Sequence, residues 1–323
     1  MSKRDCENVI AQNRCYIRKP GPRSEEPQSR EEWRALLNRC VRAQREDMLD
    51  AIRAIVTGRV EVAAAGPNAE ERFAAFVDGA RQRWEQLVAD LPPDAPARFP
   101  HGYYEMAFAL DGAEPTASLG ELQERLGVAR RIKLTGWSTF LQMNSTGLAP
   151  YPHGEFVEAW VGRPVRPESM QARPAHCDFW RASPAGQLYT VRGYAEDGLD
   201  RFTPGTVFDL SMPVWRIGEG LLFAARLAET FEGVDRISIR CRFTGLEGRE
   251  LTSVDGRRHV WEGRISHTPE VTLRGAATPQ QIRDNLAEVL LPLLTPLYER
   301  FDFFQLPAVL VGQESQRLQQ GRY

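Results

Sequence analysis

Two stretches of helical periodicity dominate the first third of the chain. Trp33, Leu36, Leu37, Cys40, Val41, Met48, Leu49, Ile52, Ile55 and Val56 recur at helical intervals. Ser29 and Glu32 stand before them with the spacing of a capping box, and Gly58 offers a stop. The pattern therefore predicts a helix over 30–57. A second stripe, Phe73, Phe76, Val77, Trp84, Leu87 and Val88, follows Asn68 as cap and predicts a helix over 69–90. A short linker ending in Gly66-Pro67 joins the two, so residues 29–92 read as a helical hairpin.

The Pro-rich stretch Leu91 to Pro100 marks a domain boundary, and period-two alternation begins after it. Tyr104, Met106, Phe108 and Leu110 share one face of a strand, and a short helix around Leu119, Leu122 and Leu126 ends at Gly127. Strands are expected over 137–143, 155–161, 177–182 and 187–194, the last two joined by Ser183-Pro184-Ala185-Gly186. A helix over 213–231 follows, with Ser211 as cap and Pro213 in its first turn. Further strands are expected over 236–244, 248–254, 259–265 and 270–274. A helix then starts at the capping box Thr278-Pro279-Gln280-Gln281, and Pro292 and Pro296 should kink or break it. Strand blocks, each closed by an apolar helix, predict an α+β domain over 101–310: antiparallel sheet with helices on one face, followed by a polar tail over 311–323.

Ahead of the hairpin, Arg14 to Arg18 reads as one strand leading into Pro20-Gly21-Pro22. Arg14, Tyr16 and Arg18 share one face, and Cys15 and Ile17 share the other. A single strand cannot bury its faces, so residues 1–28 read as the remnant strand and linker of another domain.

The chain has 323 residues, 42% of them hydrophobic, enough for one large core or two smaller ones. Lys and Arg number 41 against 43 Asp and Glu, so no global field recruits nucleic acid or an anionic membrane. The first 60 residues are locally basic, with 13 cations against 9 anions. Five scattered cysteines form no CxxC pair, no apolar run approaches 18 residues, and the charged N-terminus is unlike a signal peptide. These features predict a cytoplasmic protein with reduced thiols and no membrane contact.

Several segments resemble bacterial proteins of the Schlafen AlbA-2 type, described as DNA-binding or ATP-binding. They are Cys15-Tyr16-Ile17-Arg18-Lys19-Pro20-Gly21-Pro22-Arg23-Ser24-Glu25-Glu26-Pro27 with Glu31-Glu32-Trp33, then His176-Cys177-Asp178-Phe179-Trp180-Arg181. Pro213-Val214-Trp215-Arg216-Ile217-Gly218-Glu219 and Leu297-Tyr298-Glu299-Arg300-Phe301-Asp302-Phe303-Phe304 complete the set. The resemblance is to the region that follows the AlbA-2 domain, and the Tyr-Ile-Arg segment resembles that domain's last strand. It implies a truncated gene product or one half of a split protein, with an AlbA-2 domain or a second copy as partner. The role it implies is that of a transcription regulator or a defence component. Arg14, Arg18 and Lys19 are the positions expected to touch nucleic acid, and only weakly at this net charge.

Catalytic signatures are sparse. No GxxxxGK[ST] occurs to support ATP binding, and Gly218-Glu219-Gly220 lacks the third glycine of a dinucleotide loop. His176-Cys177-Asp178 alternates faces on a strand and cannot converge on one ion, and His259 and His267 lack carboxylate company. No Gly-x-Ser-x-Gly elbow is present. No cofactor is expected.

The sharpest candidate is a polar-aromatic cluster of Asp178, Trp180, Arg181, Arg192, Arg216 and Glu219, able to grip an anionic or planar ligand. The competing reading is a buried Arg–carboxylate network fixing helix to sheet. Arg34, Arg42, Arg45, Arg53 and Arg59 could track phosphates, but Glu31, Glu46, Asp47 and Asp50 interrupt them, which suits a solvated face. The aromatics Tyr298, Phe301, Phe303 and Phe304 suit core packing or an oligomer contact. Two functions follow: a non-catalytic regulatory or interaction region of a DNA-associated protein, or a small-molecule sensor or enzyme using the Arg/Asp/Trp cluster.

Overall fold

The computed structural model describes residues 10–11, 14–15, 17–18, 24–25, 29–35, 38, 41–42, 45, 49, 68–130, 134–145, 147–163 and 173–322. The chain divides into two units, Met1–Asn68 and Ala69–Tyr323.

In the first unit, the strand expected over 14–18 is two short pieces, each closing a local antiparallel pair. Strand β1 (Ile10–Ala11) pairs with β2 (Arg14–Cys15), and β3 (Ile17–Arg18) with β4 (Ser24–Glu25). The helix begins at Arg30, where the Ser29 hydroxyl accepts from the Glu32 amide at 3.1 Å. Trp33, Val41 and Leu49 from its apolar stripe are exposed.

The second unit is α+β, built on a seven-stranded antiparallel sheet in the order β13-β11-β5-β9-β8-β7-β6. Its strands are β5 (Tyr103–Asp111), β6 (Tyr151–His153), β7 (Phe156–Trp160), β8 (Phe179–Ala182), β9 (Gln187–Gly193), β11 (Arg236–Thr244) and β13 (Glu270–Ala277). A separate parallel pair joins β10 (Val207–Asp209) to β12 (Glu250–Thr252).

The alternation read from Tyr104, Met106, Phe108 and Leu110 holds, and these side chains enter the larger core. That core takes its helical half from α2 (Leu119–Ala129), α3 (Met212–Ala228), α4 (Pro279–Asp284), α5 (Leu286–Tyr298) and α6 (Ala308–Gln319). Helix α1 (Ala69–Val88) covers the other face, packing Phe73, Phe76, Val77 and Trp84 against Ala107, Ala109, Phe179, Tyr189 and Val191. So α1 belongs to the compact unit with the sheet, although periodicity alone assigned it to a hairpin. An apolar stripe fixes that a helix buries one face without naming the surface that receives it.

Charged side chains reinforce this docking. Glu105, buried on β5, accepts from Arg81 Nε and Nη2 at 2.6 and 2.8 Å and from the Tyr189 hydroxyl at 2.9 Å. On the larger core's side, Gly218 and Gly220 let α3 lie close. A Cβ on Gly220 would sit 2.9 Å from Phe108 Cζ, and one on Gly218 2.7 Å from Leu318 Cδ2. The Gly-Glu-Gly run is a packing device here.

Four local expectations differ from the structure. Residues 134–145 form a loop, not a strand, and Phe140 takes φ 53°, a left-handed value that no strand accommodates. Residues 259–265 are also loop, joined to β12 by the Glu250–Ile265 bridge and by the Gly263 amide donating to Glu250 Oε1 at 2.7 Å. Helix α5 runs through Pro292 and Pro296 unbroken by either. The expected polar tail contains most of α6, whose sparse apolar residues Leu310, Val311 and Leu318 are buried. The capping box at Thr278 forms as expected, with the Thr278 hydroxyl accepting from Gln281 N at 3.1 Å.

Candidate functional site

The loop 134–139 passes between the β8–β9 end of the sheet and the first turns of α3, and polar side chains from both sides seize it. Asp178 directly precedes β8, and Arg192 lies on β9. Arg192 donates from Nε to Asp178 Oδ1 at 2.9 Å and from Nη2 to Oδ2 at 2.5 Å, with both side chains almost wholly buried. The same guanidinium donates to the Ser138 carbonyl at 3.1 Å, and the Trp137 indole N–H donates to Asp178 Oδ2 at 2.9 Å. Burial alone would lower the Arg192 pKa, but Asp178, Tyr104 and Glu219 together outweigh it and raise it.

From α3, Glu219 receives four donors: the Leu134 and Thr135 amides at 3.0 and 3.1 Å and the Thr135 and Thr139 hydroxyls at 2.5 and 3.4 Å. Arg216 Nη1 donates to Thr135 Oγ1 and to the Trp137 carbonyl, both at 2.8 Å, and lies 3.8 Å from Glu219 Oε2. Its pKa is lowered, first by burial and then by the neighbouring Arg192 charge. Asp178, Arg192, Arg216 and Glu219 thus meet on a loop of their own chain.

Trp180 lines this side of the sheet as core, its indole N–H donating to the Leu141 carbonyl at 2.8 Å. Arg181 does not join the cluster. As the next residue on β8 it points to the opposite face. There it donates to Glu158 Oε1 at 2.7 and 2.5 Å and covers the Phe156 ring at 4.4 Å. Trp180 and Arg181, consecutive on β8, leave the strand on opposite faces and so do not share one site.

Beside Arg216 lies a slot bounded also by Tyr104, Gly193, Glu196, Phe208 and Met212. Its free space of about 10 Å³ holds about one water molecule. The Tyr104 hydroxyl is buried there beside the Arg192 guanidinium, with no hydrogen bond of good geometry among the described residues. Glu196, 2% exposed, has its carboxyl pushed up to about 7, first by burial and then by the nearby Asp209 charge. Asp209 is itself pushed up to about 6, chiefly by burial.

Behind the slot, Arg249 is wholly buried, and every guanidinium N–H has an acceptor. Nε reaches Gly245 O at 2.7 Å; Nη1 reaches Asp197 Oδ1 at 2.8 Å and Val207 O at 2.7 Å; Nη2 reaches Asp197 Oδ2 at 2.6 Å and His101 O at 2.7 Å. Sequence reasoning missed this clamp, since its acceptors come from four separated segments. The one local hint is the Glu196-Asp197 pair of acids beside the apolar end of β9.

Of the expected nucleic-acid contacts, Arg14 and Arg18 have backbone positions in β2 and β3, and Lys19 lies outside the described residues. Among the described residues, no group of three or more His, Cys, Asp or Glu could hold a metal, and no helix is long and apolar enough to cross a membrane. Comparison with known proteins finds no matching family model, no matching curated protein and no matching solved structure.

Proposed function

We propose that this chain is a non-catalytic interaction region of a regulatory, DNA-associated protein, the role that the Schlafen AlbA-2 resemblance implies. The observation supporting it is how the best candidate cluster uses its charges. Asp178, Arg192 and Glu219 are satisfied by one another and by loop 134–139, so they act as staples between β8, β9 and α3. A group held by two or more fixed partners is poorly placed to bind or move substrate.

A specific observation favours a second reading, a small-molecule sensor. Among the described residues Arg216 is hydrogen-bonded through Nη1 alone, and Arg216 and Tyr104 both border the slot. A ligand larger than water would have to open that slot. The test is thermal melting of the full chain and of Arg216→Gln against a metabolite panel. The interaction-region reading expects both proteins to respond alike to every compound. Stabilisation that needs Arg216 would establish the sensor instead. With net charge −2, single- and double-stranded oligonucleotides should bind at micromolar Kd or weaker near physiological salt. Nanomolar binding would contradict an accessory role.

A further inference from the structure

The sheet face covered by α1 is left open at its β11–β13 end, and arginine recurs among the outward residues there. On β11, Arg236, Ser238, Arg240 and Arg242 alternate with the core residues Ile237, Ile239, Cys241 and Phe243. Two of these arginines have carboxylate partners. Arg236 donates to Asp111 at 3.0 Å, and Arg242 to Glu270 at 2.6 Å.

Arg240 is the exception. Its cross-strand neighbours are Ala107 on β5 and Arg274 on β13, so no carboxylate stands opposite it and a second guanidinium does. It makes no hydrogen bond or ion pair with any described residue, although it is half-buried. Among the described residues Arg274 has one partner, Glu70 at 3.3 Å, and that pair is open to solvent, with side chains 61% and 81% exposed. An ion pair so exposed holds its partners weakly. Like charges directly opposite on neighbouring strands destabilise a sheet. The pair is thus a local cost that the exposed Glu70 contact offsets only weakly.

Arg240 and Arg274 border a groove of about 200 Å³ between the open sheet face and the start of α1, with Phe73 and Ala74 as an apolar wall. Arg236, Asp111 and Glu70 also line it, Asp111 paired with Arg236 and Glu70 with Arg274, so Arg240 is the lining cation that these two carboxylates leave unmatched. We propose that this groove binds a phosphomonoester through Arg240 and Arg274. A single carboxylate would neutralise one guanidinium. A phosphomonoester carries about −1.5 to −2 near pH 7 and offers three acceptor oxygens, which matches two adjacent guanidiniums in charge and in fork geometry. The apolar wall leaves room for a small organic remainder. This site is separate from the buried cluster and does not depend on how that cluster is read.

The experiment is thermal melting of the full chain in inorganic phosphate against chloride at matched ionic strength, for the wild type, Arg240→Gln, Arg274→Gln and the distant Arg257→Gln. Phosphate should stabilise the wild type and Arg257→Gln equally. Its apparent affinity should fall at least tenfold in each groove variant. Without phosphate, Arg240→Gln should melt at the same temperature as the wild type or higher, because a like-charge contact is gone. Three results would overturn the proposal: equal phosphate responses in all four proteins, no response in any, or a lower melting temperature for unliganded Arg240→Gln. An unphosphorylated single-stranded oligonucleotide that binds more tightly than phosphate, and needs Arg240, would also overturn it in favour of a polymer backbone.

Discussion

Glu196→Gln isolates the energetic consequence of a buried carboxyl in this fold. Glu196 sits in the short turn Glu196–Gly198, and its Oε1 accepts from the Asp209 amide at 3.0 Å. Burial, followed by the Asp209 charge, raises its carboxyl from the ordinary 4.5 to about 7. A carboxyl raised on folding contributes stability that is fully present below its unfolded value and lost as pH climbs through its folded value. The shift corresponds to a total of about 3 kcal/mol at 1.36 kcal/mol per unit. About 2–3 kcal/mol of that falls between about pH 5 and pH 8.

Glutamine keeps a carbonyl oxygen for the Asp209 N–H and removes the titration. Any fixed penalty of the new amide shifts the variant's stability equally at both pH values, so the informative quantity is the difference in pH slope. Urea unfolding of wild type and variant at the two pH values measures it. The wild type should lose about 2–3 kcal/mol more than Glu196→Gln on going from the lower pH to the higher. Parallel curves would refute the assignment, and a steeper curve for the variant would reverse its sign.

The two arginine sites should differ in cost when truncated. Arg249→Met strands the Asp197 carboxylate, whose other partner is the Gly205 amide at 2.8 Å, and should cost about 3–5 kcal/mol by chemical denaturation. Adding Asp197→Leu should return part of that loss, and failure to do so would show that the three backbone carbonyls dominate. Arg216→Ala should cost less, about 1–3 kcal/mol, because Glu219 retains its four loop donors. A loss larger than that of Arg249→Met would mean that Arg216, not the loop, stabilises Glu219.

Several features were legible from short-range pattern alone, although such pattern also placed strands where loops lie. The α+β class, the inward face of β5, the Ser183–Gly186 turn and the Thr278 cap follow from periods of 2.0 and 3.6 residues and from turn chemistry. Tertiary structure decided which surface each stripe meets, and it set the α1 stripe on the sheet. It also decided the partner of every buried charge. Asp178 and Arg192 are 14 residues apart, Arg249 and Asp197 are 52 apart, and Arg240 faces Arg274 only because β11 and β13 are in that register. Local pattern fixes the direction in which a side chain leaves the backbone. The partner it meets depends on how distant segments return to one place, which no window of sequence contains.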